Sequence, residues 1–266
     1  MKPADTDFDA VVTRLRAAGC VFAEDEAAML VEAAGEDSAA TLDVLVKRRC
    51  QGEPLEHVVG WAQFCGLRIA VGPGVFVPRR RSEFLVRTAL AAGADAGSAV
   101  VLDMCCGVAP FATALASALP GAEVHAADID PAQTAYARRN LARFGERAHV
   151  YEGDLYTALP DRLRGSVNLL VANAPYVPTA AIATLPAEAR AHEPLASLDG
   201  GADGLDLHRR IAVGAPDWLA PGGSLLIECT ERQAAATRTA FGRAGLRARI
   251  VEDDDLEATV VIGDRP

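Results

Sequence analysis

The 266-residue sequence predicts an α/β fold: a doubly wound, seven-stranded sheet with a small helical unit ahead of it, joined by a β-hairpin. Three observations carry this expectation. From about Glu83 onward, strand-like apolar runs alternate with helical patterns. Residues 5 to about 58 show only three- and four-residue apolar spacing, and between the two regions the period falls to two.

In the first stretch Val11, Val12, Leu15 and Ala18, and later Leu42, Leu45 and Val46, recur on helical faces. Gly19, Gly35 and Gly52 punctuate them, which predicts a bundle rather than one long helix. Next, Leu67, Ile69 and Val71 alternate with Arg68 and Ala70. Gly72-Pro73-Gly74 is then expected to turn the chain into a second strand, Val75-Phe76-Val77. The expected boundaries are a helical domain at 1–61, a hairpin linker at 62–82 and a larger domain at 83–266. Within the last, Ala99–Asp103 is an apolar run closed by an acid, as in a parallel strand buried on both faces. Ala122–Asp128 repeats the pattern, and Asp130-Pro131 opens the helix after it. His149–Tyr151 and Val167–Asn173 supply two more strands, and Ser224–Glu228 a fifth, introduced by a Pro221-Gly222-Gly223 turn. After a helix over Gln233–Gly242, Leu246–Val251 and Ala258–Ile262 read as a closing pair. No internal repeat is present.

Half of the residues are apolar and 23% charged, which excludes a disordered chain or a fibre. The 36 acidic residues outnumber the 26 basic ones, for a formal charge of −10, so direct nucleic-acid binding is not expected. Arg79-Arg80-Arg81, Arg138-Arg139 and Arg209-Arg210 read as solvated faces. The six cysteines form no C-x-x-C pair and no histidine stands at zinc-ligand spacing from them, so they read as reduced thiols and no metal is expected. His57, His125, His149 and His208 are scattered and suggest no role. The acidic start, Met1–Asp7, lacks the apolar core of a signal peptide. Gly107, Pro110 and Pro120 interrupt the uncharged run Met104–Ala122, which favours strand, turn and helix over a membrane span. A soluble, cytoplasmic protein is expected.

Ligands of open α/β sheets bind outside the carboxyl ends of the strands. Four points here lie at such ends: the turn Asp103-Met104-Cys105-Cys106-Gly107-Val108-Ala109; Asp128-Ile129, about 20 residues on, where an acid can accept both hydroxyls of a ribose; Asn173-Ala174-Pro175-Tyr176; and Gly153-Asp154-Leu155, which could edge an adenine ring. Asp103 and Asp128 also suit plain helix caps, and the tetrapeptide alone suits a turn. No G-x-G-x-x-G and no G-K-[ST] occurs, which disfavours a phosphate cradle.

With these residues in view, the sequence resembles the HemK/PrmC group of protein-glutamine methyltransferases, within the class I S-adenosylmethionine-dependent superfamily. The resemblance covers nearly the whole chain. It rests on Arg49-Cys50-Gln51-Gly52-Glu53-Pro54-Leu55 with Gly60, on Val77-Pro78-Arg79, on the Asp103 turn, on Asn173–Tyr176, and above all on Leu198-Asp199-Gly200-Gly201-Ala202-Asp203-Gly204-Leu205-Asp206. It implies strand order 3-2-1-4-5-7-6 with the last strand antiparallel, and an amino-terminal domain that recognises a protein substrate. It also implies S-adenosyl-L-methionine held by Asp103, Cys105, Cys106, Gly107, Ala109, Asp128, Ile129, Asp154, Leu155 and Asn173. The acceptor implied is the glutamine of the Gly-Gly-Gln tip of a peptide-chain release factor, held by Asn173, Ala174, Pro175 and Tyr176.

Amide chemistry agrees with such a site. The amide lone pair is delocalised, and no side-chain base removes its proton at neutral pH. A protein can, however, hold both N–H groups with acceptors and aim the nitrogen at a methyl group. The Asn173 side-chain oxygen and the Ala174 carbonyl would be those acceptors, with Tyr176 as a wall and no general base. The chain departs from the group's pattern at Ala174, where it has Asn-Pro-Pro-Tyr, at Cys105 and Ala109, where it has glycine, and at Arg80-Arg81-Ser82-Glu83, where it has Pro-Glu-Thr-Glu. His192-Glu193-Pro194 either shapes the pocket mouth or is an ordinary loop. These departures keep two alternatives open: an N-methyltransferase of a small-molecule amine or amide, and a non-catalytic binding paralogue.

Overall fold

The computed structural model describes residues 5–35, 39–92 and 98–266. Residues 1–4 of the acidic start lie outside the described residues. Helices α1 (Asp5–Ala17), α2 (Ala23–Ala34), α3 (Ala39–Cys50) and α4 (Leu55–Val59) pack around Leu15, Ala27, Leu30 and Val46, all fully buried. Among the described residues no helix is long and apolar enough to cross a membrane.

Strands β1 (Trp61–Phe64) and β2 (Leu67–Ala70) pair antiparallel. Cys65 and Gly66, at φ 48° and 74°, make the two-residue left-handed turn that suits the twist of a hairpin. The partner of β2 is therefore the strand before it. The expected strand Val75–Val77 is not in a ladder, and side chains satisfy its backbone instead. His57 Nε2 lies 3.0 Å from the Val75 carbonyl oxygen, and the Val77 N–H donates to Glu193 Oε1 at 3.3 Å.

After α5 (Glu83–Ala91) come β3 (Val100–Met104), α6 (Pro110–Ala118), β4 (Glu123–Asp128), α7 (Pro131–Leu141), β5 (Ala148–Glu152) and β6 (Val167–Ala172). Then follow α8 (Ala187–His192), α9 (Asp206–Trp218), β7 (Leu219–Cys229), α10 (Glu231–Arg243), β8 (Arg247–Asp253) and β9 (Ala258–Asp264). The sheet runs β5-β4-β3-β6-β7-β9-β8, and β9 alone runs opposite to the other six strands. Counted from β3, that is the order 3-2-1-4-5-7-6. The expected Pro221-Gly222-Gly223 turn is an excursion inside β7: pairing with β6 passes from Val167–Leu219 to Leu169–Ser224.

Alternate residues of each central strand serve two cores. Val101, Val124, Leu169 and Val171 face α5, α6 and α7, whereas Leu102, Leu170, Ala172 and Ile227 face α9 and α10. Burial of both faces explains why the strands read as unbroken apolar runs. Strand order reverses between β3 and β6, and that reversal opens a crevice at their carboxyl ends.

Candidate active site

A cleft of about 720 Å³ occupies this crevice. Cys105, Gly107, Asp128, Ile129, Asp154, Leu155 and the whole of Asn173–Tyr176 line it, so one cavity gathers four separate strand ends. Asp103, Cys106 and Ala109 are not on its wall. Asp103 is fully buried, its Oδ2 accepts the Ala112 N–H of α6 at 3.0 Å, and burial pushes its carboxyl well above the usual range. It braces the turn from beneath. Cys106 borders a small adjoining pocket together with Cys105 and Asn173.

The turn after β3 places Cys105, Gly107 and Ala109 at φ 56°, 55° and 60°. Glycine reaches that region without cost, and each Cβ there costs roughly 1–2 kcal/mol. The Ala109 methyl points into the core, fully buried, and takes no room from the cleft. Cys105 does face the cleft, and burial keeps its thiol protonated. Asp128 accepts from the Gly107 N–H through Oδ2 at 2.8 Å and from the Asp130 N–H through Oδ1 at 2.9 Å. Its carboxyl is thereby clamped at the rim of the turn. Each oxygen keeps a second lone pair, the pair of acceptors that the two hydroxyls of a vicinal diol require. Asp154, beyond it, pairs with Arg210 at 2.6 Å. Volume, apolar walls and the clamped carboxylate together fit a nucleoside.

Also on the cleft wall, the Asn173 Nδ2 donates to Ser82 Oγ at 3.4 Å. That contact commits the nitrogen inward and leaves Oδ1 as the acceptor. Among the described residues no protein donor reaches the Ala174 carbonyl oxygen. The carbonyls of Tyr176 and Val177, two and three residues on, are occupied from behind. The Gln233 Nε2 donates to the Tyr176 oxygen at 2.8 Å, and the Gly200 N–H donates to Val177 at 2.8 Å. The glycine-rich segment lies flat on this backbone: a Cβ at Gly200 would stand 2.7 Å from the Pro175 oxygen, and one at Gly204 2.2 Å from the Tyr176 oxygen. Only glycine permits that approach.

Further charged side chains stand at the site: Glu228, to which the sequence assigned no role, and Arg79 and Arg81, which read there as a solvated face. Glu228, next to last in β7, is almost fully buried, 3.4 Å from Arg81 Nε, with one carboxylate oxygen unpartnered, and burial raises its pKa. Arg81 also donates to the Tyr176 hydroxyl. Arg79 pairs with buried Glu193 at 2.5 Å, so His192-Glu193-Pro194 contributes its acid, not its imidazole, to the cleft wall. An acid closing an apolar run, as at Asp128, is the one signal that could have marked Glu228. From the helical unit, Arg49 grips Glu26 through two nitrogens, at 2.6 and 3.0 Å, and reaches Glu188 of α8 at 3.2 Å. Pro54 and Glu188 both border the cleft.

A family model described as a methyltransferase domain matches residues 101–192. A release factor glutamine methyltransferase of Geobacter sulfurreducens is 40% identical over 221 residues, 83% of this chain and 76% of the relative. A 4-amino-L-phenylalanine/4-methylamino-L-phenylalanine methyltransferase of Streptomyces pristinaespiralis is 37% identical over 75% of this chain and 69% of its own length. Among solved structures, a methyltransferase from Pyrococcus furiosus superposes with a TM-score of 0.57 at 18% identity, covering 75% of this chain and 89% of that one, a likeness of fold.

Proposed function

The chain belongs to the family of release factor glutamine methyltransferases, and from that premise we propose that it methylates the side-chain amide nitrogen of the Gly-Gly-Gln glutamine in a peptide-chain release factor. The donor, S-adenosyl-L-methionine, supplies an electrophilic methyl on a sulfonium. In this reading Asp128 holds the ribose, the turn from Cys105 to Gly107 passes beside the methionine part, and Asp154 with Leu155 edges the adenine. Asp103, Cys106 and Ala109 act indirectly, by shaping the turn that the cofactor meets.

The single observation that carries the acceptor assignment is the pair of outward acceptors at the end of β6. Asn173 Oδ1 and the Ala174 carbonyl each take one N–H of a planar carboxamide. The amide is thereby turned so that its nitrogen, rather than its more nucleophilic oxygen, faces the methyl. Ser82 fixes the Asn173 rotamer, and buried Glu228 fixes Arg81, which in turn holds Tyr176 as a side wall. No residue needs to act as base before transfer, because the nitrogen becomes acidic once methylated. Ala174 serves as well as proline would, since the group used is main-chain. The helical unit offers the docking surface for the protein substrate, with Pro54 and Glu188 at the cleft mouth. A cytoplasmic setting follows from this substrate.

Incubation with methyl-labelled S-adenosyl-L-methionine and a release factor tests the reading: label should appear on the Gly-Gly-Gln glutamine. Cofactor binding without that label rejects it. The relative from Streptomyces pristinaespiralis supports a second reading, methylation of an arylamine. Label on 4-amino-L-phenylalanine and none on the release factor would select it.

A further inference from the structure

Away from the cleft, at the amino-terminal ends of β4 and β5, two imidazoles and a carboxylate converge. Glu123 and His125 are two apart on β4 and so share a face, and parallel pairing sets His149 of β5 directly beside His125. Glu123 Oε1 lies 3.2 Å from His125 Nε2 and 3.1 Å from His149 Nε2, and the three ligand atoms fall within 4.8 Å of one another. Four ligands at 2.0–2.1 Å around a tetrahedral ion stand about 3.3–3.4 Å apart. Two edges of the triangle thus already have the spacing that such an ion sets.

The electronic arrangement agrees. His125 Nδ1 is 3.1 Å from the Tyr151 hydroxyl; with that hydroxyl accepting, the proton stays on Nδ1 and the Nε2 lone pair is available to a cation. His125 is fully buried, yet its Nε2 makes no hydrogen bond. A buried nitrogen left without a hydrogen bond beside a carboxylate oxygen is costly, and a cation between the two would satisfy both.

We propose that Glu123, His125 and His149 form a site for a divalent transition-metal ion of the zinc class, bound by two imidazoles and one carboxylate with a position left for water. Arg162, half exposed and 3.7 Å from Glu123 Oε1, neutralises the carboxylate when no ion is present and swings into solvent when one binds. The ion would pin edge strand β5 to β4. Ala127 lies two residues beyond His125 on the same face and lines the cleft, so the clamp would steady the strand that ends in Asp128.

The test titrates the chelator-treated full chain with Co²⁺, followed by absorption, because six free thiols are the rival ligands and thiolate coordination adds an intense charge-transfer band. One equivalent is expected to bind with ligand-field bands and no thiolate band. His149→Ala and Glu123→Gln should each weaken binding by more than about 100-fold, beyond the 10–100-fold typical of outer-shell changes. Arg162→Ala should tighten it by up to about fivefold, as expected for the loss of one partly exposed charge interaction. Absence of Co²⁺ binding, a thiolate band, or affinity unchanged in the ligand variants overturns the proposal. Should His149→Ala fail to fold, half-exposed Glu123→Gln decides alone.

Discussion

At the scale of single residues, Asn173 and Asp128 line one cleft, and the proposed function gives them different work, which makes their variants separable. Asn173→Ala removes one of two acceptors without touching Asp128. Misplacing a reacting atom by about 1 Å costs on the order of 100-fold in rate, so kcat should fall by about that factor while calorimetry finds cofactor affinity within about twofold. Wild-type activity in this variant would remove Asn173 from its role. Asp128→Ala deletes an acceptor that Gly107 and Asp130 hold in place. A hydrogen bond to a charged group is worth about 1.5–3 kcal/mol, so the cofactor dissociation constant should rise roughly 10- to 100-fold. An unchanged constant would place the ribose elsewhere.

At the scale of elements, the glycine-rich segment is a backing plate for the tetrapeptide. Gly204, at φ +78°, presents its Cα to the Tyr176 oxygen and to Gln233, where a Cβ would stand 2.2 and 2.5 Å away. Gly204→Ala should destabilise by about 2–4 kcal/mol, from left-handed strain plus overpacking, and should lower activity by displacing Tyr176. Gly52→Ala, at φ +89° with open space around it, carries only the conformational part. Urea unfolding of the two side by side measures the difference, and equal losses would deny the plate its role. The central strands were legible because burial on both faces leaves unbroken apolar runs, and the strand-end positions of Asp128 and Asn173 followed from them. The hairpin was misplaced because Cys65-Gly66 lacks the usual Asn-Gly mark, while Gly72-Pro73-Gly74 is a louder turn signal. Ser82 and Glu228 were hidden for another reason: the Ser82 hydroxyl bonds the Glu228 carboxylate across more than 140 positions, a proximity that no local pattern encodes. His125 and His149 looked scattered because only parallel register brings them side by side. Asp103 and Ala109 sat in the right turn, but a turn has two sides, and their side chains take the inner one.

At the scale of the whole molecule, the ends of α9 and α10 hold the site, and His208 couples those two helices. It is fully buried on α9, with Nδ1 3.0 Å from Thr237 Oγ1 of α10. Gln233, one turn before Thr237 on α10, reaches the Tyr176 carbonyl, and Asp206 at the start of α9 closes the glycine-rich segment. Burial lowers the His208 pKa to about 4, whereas the unfolded chain titrates near the ordinary 6.5. Between those values the unfolded state binds the extra proton. The stability contributed by neutral His208 is therefore complete above pH 6.5, falls as the pH drops through the window, and levels off below about 4. At pH 5 the loss amounts to about 2 kcal/mol. Buried Asp103 and Glu228, whose carboxyls titrate above their usual range, act in the opposite sense as the solution is acidified. The raw pH profile of the protein mixes all three. Subtracting a His208→Asn variant, which keeps a short amide near Thr237 but has no proton to gain, isolates the histidine. The gap between wild type and variant in urea unfolding should shrink by about 2 kcal/mol from pH 7 to pH 5. A gap independent of pH would mean that His208 titrates normally, and that some other contact keeps α9 and α10 together behind the tetrapeptide.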